Sequence, residues 1–192
     1  ILGGLLAPTS GSVAIDAAQA SADDLLTGSI MASSSRDLDD VPATILIQYA
    51  RLRPTWDERL FAHYARRFGL PVRSRKTLGK LSTGQAAVVT GALALASGAP
   101  ITLLDEISAL DVPTRYAFYE EILALAGECM EEAPQRRFLV SSHMVSELEK
   151  VAEDVVVLKK GLLLAHESVD DFTLPESVRD PATPPDVERF PC

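Results

Sequence analysis

The run Ile101-Thr102-Leu103-Leu104 ends on two adjacent carboxylates, Asp105 and Glu106. A short apolar run following Gly98-Ala99-Pro100 reads as a buried strand. In a parallel sheet such a strand delivers its last residues to the C-terminal edge, where α/β sheets take their ligands. There Asp105 can orient the water shell of a Mg2+ ion, a hard cation that prefers oxygen. Glu106 can act on a water as a general base. Taken alone, the pair also fits an ordinary acidic loop at a strand end.

Two further stretches can hold an anion. Leu81-Ser82-Thr83-Gly84-Gln85 precedes an alanine-rich run. Free N–H groups at a helix start favour a phosphate oxygen, and glycine lets the backbone come close to it. The plain alternative makes Ser82 an ordinary N-cap. Ser141-Ser142-His143 follows another apolar strand and sets an imidazole where it can contact a terminal phosphate. A capping Ser-Ser-His turn is the alternative.

The elements that must position these groups alternate between strand and helix. Ser12–Asp16 reads as a short strand after the Pro8-Thr9-Ser10-Gly11 turn, and residues 17–43 read mostly as loop. Thr44–Gln48 is a β-branched, apolar run and reads as a buried strand ending in Gln48. Residues 55–69 read as a helix capped by Thr55, with Trp56, Leu60, Phe61, Tyr64 and Phe68 facing the core and His63 solvated. A helix over Gln85–Ser97, the strand Ile101–Asp105, a helix over 113–126 and the strand Phe138–Ser141 follow. Then come a helix over Met144–Ala152 and a hairpin that turns at Lys159-Lys160-Gly161, with His166 exposed at its end. Residues 173–192 are acidic and proline-rich and read as a disordered tail. The pattern predicts an α/β fold with a parallel sheet.

Composition narrows the classes. A formal net charge of −9 and a pI near 4.8 argue against a nucleic-acid partner held by a broad basic face. Cys129 and Cys192 form neither a disulfide framework nor a metal spacing. The opening residues lack the basic region of a signal peptide. Residues 86–104 carry no charge and are long enough to span a bilayer. Gly98-Ala99-Pro100 interrupts them, so a buried helix, a turn and a strand explain them better.

In order and spacing these pieces resemble an ATP-binding-cassette (ABC) ATPase domain. Leu81–Gln85 is similar to the family's LSGGQ signature with one change. Ile101–Glu106 resembles the Walker B strand with its catalytic glutamate, and Ser108-Ala109-Leu110-Asp111 the D-loop. His143 is similar to the switch histidine and Gln48 to the Q-loop glutamine. Leu2–Asp16 resembles the stretch after the phosphate loop, and Lys159-Lys160-Gly161 the late hairpin.

The resemblance covers about residues 1–172 and implies a P-loop NTPase-like parallel sheet with a helical signature subdomain near residues 49–97. It implies the ATP-hydrolysing motor of a transporter, in which two such domains sandwich two ATP molecules. Ser82, Thr83, Gly84 and Gln85 would then meet the ATP held by a second domain, of the same or a different chain. Asp105 and Gln48 would serve Mg2+, Glu106 would polarise water, and His143 would contact the γ-phosphate. Asp111 would cross the dimer interface. A transmembrane permease subunit would hold the domain at the cytoplasmic face of the plasma membrane.

Two departures qualify the likeness. The phosphate loop G-x-x-x-x-G-K-[ST] does not occur among the 192 residues, which start just after its expected position. The reading is therefore an N-terminally truncated domain that binds ATP weakly alone. The alternative is a degenerate partner that lends only its signature helix. The connection from Glu106 to Asp111 is one residue shorter than in the family, a displacement of up to roughly 3 Å.

Overall fold

The computed structural model describes residues 7–15, 18–19, 29–32, 39–72, 75–105, 107–127, 136–143, 145–148 and 150–172. The tail expected over 173–192 lies outside the described residues. The chain divides into two compact units, Ile1–His143 and Met144–Cys192.

In the first unit, β1 (Ala14–Ile15) and β2 (Ala18–Gln19) form an antiparallel ribbon. Of the strand expected over Ser12–Asp16, Ala14 and Ile15 are paired strand residues, and Asp16 lies outside the described residues. Among the described residues the main sheet has three parallel strands, β3 (Ser29–Ala32), β4 (Ile101–Leu104) and β5 (Arg137–Val140), with β4 in the middle. Ser29 stands opposite Ile101, and Leu104 opposite Val140. Along β4, Thr102 and Leu104 are buried and Ile101 and Leu103 half-buried. That is the burial of a central strand covered on both faces.

The strand expected at Thr44–Gln48 is instead part of a helix, α1 (Ala43–Ala50). Pro42 occupies its N-cap in an extended conformation, a position at which the missing N–H costs nothing. Ala43 and Ile47, one turn apart, are the buried residues of this helix, a period that a strand cannot satisfy. The strand beside β4 comes from Ser29–Ala32, inside the stretch expected to be loop.

Helix α2 (Glu58–Arg67) is capped by Asp57, whose carboxylate accepts the N–H groups of Arg59 and Leu60. Thr55, the expected cap, donates its hydroxyl to the carbonyl of Ser97 at 2.7 Å. Phe61 and Tyr64 are buried and Trp56, Leu60 and Phe68 half-buried, so the aromatic stripe is core as expected. His63 is exposed, as expected, and its ring also finds a partner. It lies 2.9 Å from the carboxylate of buried Glu121, which Arg67 also engages.

Helix α3 (Thr83–Ala96) and helix α4 (Val112–Gly127) complete the layer around that stripe. From Gly91 to Ala96 every residue of α3 is buried. Small side chains let neighbouring elements approach closely there. A Cβ on Gly91 would meet the ring of Phe118 at 2.6 Å, and that ring stacks on Phe68 at 4.5 Å between centroids. Gly91→Ala would gain about 1 kcal/mol in helix propensity and lose about 1–3 kcal/mol to overpacking. We therefore expect a net loss in denaturant melts that the double variant with Phe118→Leu recovers.

The far end of α3 is tied down by groups from separate parts of the chain. Arg136 donates to the carbonyls of Leu95 at 2.9 Å and Ala99 at 3.3 Å. The N–H of Asp57 donates to Ala96 at 2.9 Å. Ser97 turns its hydroxyl back to Ala94 at 2.6 Å. These bonds satisfy the carbonyls that a helix end otherwise leaves open. Gly98, at φ 66°, then reverses the chain into β4. Residues 86–104 are thus helix, turn and strand, and no described helix is long and apolar enough to cross a membrane.

The second unit holds α5 (Val145–Leu148), shorter than the helix expected over 144–152, and the antiparallel pair β6 (Asp154–Lys159) and β7 (Leu162–Ser168). Lys160 and Gly161 turn the hairpin at φ 51° and 78°. Positive φ at both central residues gives the turn whose twist matches that of the strands. His166 is exposed, as expected.

Candidate functional site

Parallel strands with matched register end together. Leu104 and Val140 are opposite one another, so Asp105 and Ser141 emerge side by side at the C-terminal edge. The N–H of Ser141 donates to the carbonyl of Leu104 at 2.9 Å, carrying the ladder one step past the strands. The Ser141 hydroxyl bonds to Oδ1 of the Asp105 carboxylate. His143 follows two residues later and is exposed. Asp105 and His143 thus stand after the ends of neighbouring strands, as the sequence predicts. Glu106 lies outside the described residues.

The start of α3 is built as a reciprocal cap. The Ser82 hydroxyl accepts the N–H of Gln85 at 3.2 Å, and the Gln85 side chain accepts the N–H of Ser82 at 3.2 Å. The approach to it is also fixed. Leu78–Lys80 form a 3-10 turn whose N–H groups at Leu78 and Gly79 donate to Val41 and Asp39. Ser82 and Thr83 are exposed and Gly84 half-buried. A Cβ on Gly84 would lie 3.4 Å from the carbonyl oxygen of Ala109. The helix start therefore sits on the turn that follows β4.

That turn, Ile107–Ala109, is a 3-10 turn closed by the N–H of Leu110 donating to Ile107 at 3.0 Å. Arg115, only 4% exposed, donates to the Leu110 carbonyl at 2.8 Å. Asp111 caps α4, accepting the Thr114 N–H at 3.0 Å and its hydroxyl at 2.9 Å. The Thr114 N–H and then its hydroxyl hold the Asp111 carboxyl below its usual pKa. The stretch from Ile107 to Asp111 is thus a braced turn.

Gln48 is placed differently from its expected strand end. It is exposed in the middle of α1. The residues that sequence reasoning missed are Ser141 and Arg115. For Ser141 a signal existed: the register of two strands ending at Asp105 and at Ser141. Nothing marked Arg115 except a cation one turn into a helix, where cations are disfavoured.

The donors present suit a magnesium nucleotide. Asp105 offers an exposed, hard carboxylate with one oxygen held by a hydroxyl. Among the described residues no three His, Cys, Asp or Glu side chains cluster to form a cage. Mg2+ commonly takes one or two carboxylates and leaves the rest of its shell to water and phosphate.

Comparison with known proteins bears on the fold. No family model matches the chain. The ribose import ATP-binding protein RbsA of Lacticaseibacillus paracasei is 26% identical over 119 residues, 62% of this chain and 23% of its own length. An uncharacterized ABC transporter ATP-binding protein of Nostoc sp. is 32% identical over 99 residues, 51% of this chain and 28% of its own length. The chain therefore spans about a quarter of the length of these curated relatives. Among solved structures, an ATP-binding subunit of an ABC transporter superposes with a TM-score of 0.70 at 19% identity, over 88% of this chain and 72% of its own. A dimeric, post-hydrolysis ATP-binding cassette bound to ADP and Pi gives 0.63 at 23% identity, over 88% and 78%. The chain has the ABC ATPase-domain fold, a P-loop NTPase-like architecture, and resembles the ATP-binding subunits of ABC transporters.

Proposed function

We propose that this chain is part of the ATP-hydrolysing subunit of an ABC transporter, supplying a signature helix and a Walker B edge to ATP sites. The observation that supports it is the seating of the Ser82-capped helix start on the turn that follows β4. One rigid piece thereby offers an exposed helix N-terminus and an exposed carboxylate edge. The helix start favours negative charge through its free N–H groups. Residues 1–172 form the ABC domain in this reading, with the helical subdomain near 49–97.

Ser82, Thr83 and Gly84 meet the γ-phosphate of an ATP held by a second ABC domain, in the same or a different chain. Gln85 acts behind them by holding Ser82. Asp105 serves Mg2+, Glu106 is the base for the attacking water, and His143 contacts the γ-phosphate. Asp111 faces the second domain while capping α4. No phosphate loop occurs among these residues, so it comes from sequence outside them or from another chain. A permease subunit holds the assembly at the cytoplasmic membrane face.

The test is the assembly purified from source cells through a tag on this chain. Steady-state ATP turnover is measured with Ser82→Arg, which puts bulk and length where the phosphate approaches. We expect turnover to fall at least about ten-fold while the thermal melt shifts little, since losing an N-cap costs only about 1 kcal/mol. Unchanged turnover, or an assembly without ATPase activity, overturns the reading.

A further inference from the structure

We propose that Ser141 is a positioning residue for Asp105, fixing its carboxylate for a divalent cation. This inference rests on the ATP-site reading above and adds a residue to it. A carboxylate at an exposed strand end can rotate among several conformers. Here Oδ1 of Asp105 is engaged by the Ser141 hydroxyl, which leaves Oδ2 as the oxygen open to a cation or its water shell. A hydroxyl has one proton to donate and an ionised carboxylate can only accept, so the direction of the bond is set.

Three observations make this a built contact. The register of β4 and β5 places residues 105 and 141 side by side. The N–H of Ser141 is pinned to Leu104, so the backbone that carries the hydroxyl is held. His143, the other polar group expected at the nucleotide, stands two residues along the same segment. The segment after β5 therefore serves the edge twice, once through the carboxylate and once through the imidazole. A hydroxyl is needed at 141; alanine and valine leave Asp105 without that donor, whereas threonine retains it.

The experiment compares Ser141→Ala and Ser141→Thr in the same tagged assembly. Mn2+ replaces Mg2+ as an EPR-visible probe, titrated with a non-hydrolysable ATP analogue. Loss of a hydrogen bond to a charged ligand group predicts about ten-fold weaker Mn2+ binding in Ser141→Ala. Ser141→Thr stays close to the unsubstituted chain. The Mg2+ concentration for half-maximal turnover rises in parallel, while kcat at saturating Mg2+ changes less. A bond that only satisfied two polar groups would alter the metal-free melt and leave Mn2+ affinity alone.

Equal Mn2+ affinity in Ser141→Ala and the unsubstituted chain overturns the role of Ser141 and leaves the ATP site standing. An unsubstituted assembly that takes up no Mn2+ with nucleotide overturns the ATP-site reading, and this inference falls with it.

Discussion

Gly98→Ala is expected to destabilise the first unit by about 3–4 kcal/mol, the sum of a left-handed backbone cost and a steric clash. Gly98 has φ 66°, and a Cβ there would lie 2.1 Å from the carbonyl oxygen of Thr55 and 3.0 Å from its carbon. Neither side can yield cheaply. The hydroxyl of Thr55 is bonded to Ser97, and the N–H of Asp57 to Ala96. For a chain of this size the melting temperature should fall by roughly 10 °C. Gly98→Asn separates the two causes. Asparagine tolerates positive φ but carries a Cβ, so it should remain strongly destabilised. A melt of Gly98→Ala within about 2 °C of the unsubstituted chain, less than the shift of a 1 kcal/mol change, would refute this account of the turn.

The second large effect concerns turnover. In the tagged assembly, Glu106→Gln should lower hydrolysis at the site this chain serves by about 10²–10⁴-fold, the range for removing a general base. Binding of labelled ATP should persist, since glutamine keeps the shape and loses only the proton acceptor. The prediction rests on sequence position and on the neighbours of Glu106. Leu104 is buried in β4, Asp105 is held by Ser141, and buried Ile107 opens a 3-10 turn closed by Leu110. In sequence Glu106 stands between that strand end and that turn. Unchanged turnover would remove Glu106 from the chemistry.

Elements with strong local signals were legible from sequence. Strand β4 is a short apolar run closed by charge, and α3 is a long run with a cap. The Lys160-Gly161 turn states its own geometry. The neighbour of β4 was not legible. Ser29-Ile30-Met31-Ala32 has little strand propensity and sits in a polar stretch; pairing with Ile101–Leu104 makes it a strand. Thr44–Gln48 misled for the opposite reason. Its β-branched, apolar residues fit a strand by composition, and a five-residue run cannot be assigned by period. Burial of Ala43 and Ile47 one turn apart settles it as helix. The placement of Gln48 followed that error.

The candidate site divides along the same line. Asp105 and His143 follow from strand ends, which sequence marks well, and Ser82 caps its helix as the plain reading has it, with Gln85 closing the cap from the other side. The Ser141–Asp105 bond and the bracing of Leu110 by Arg115 depend on register and on packing across elements. Neither is a property of one stretch of chain.

The tied end of α3 has a mechanical consequence. A 14-residue helix is about 21 Å long. Pinned by those bonds near Leu95–Ser97, it acts as a lever about that point, its other end resting on the turn after β4. A tilt of about 5° at the fulcrum carries the Ser82 tip through nearly 2 Å, about two-thirds of a hydrogen-bond length. The groups that set the fulcrum come from Thr55 and Asp57 on one side and Arg136 on the other. A small push on the segment before α2, or on the approach to β5, would therefore be magnified at the tip.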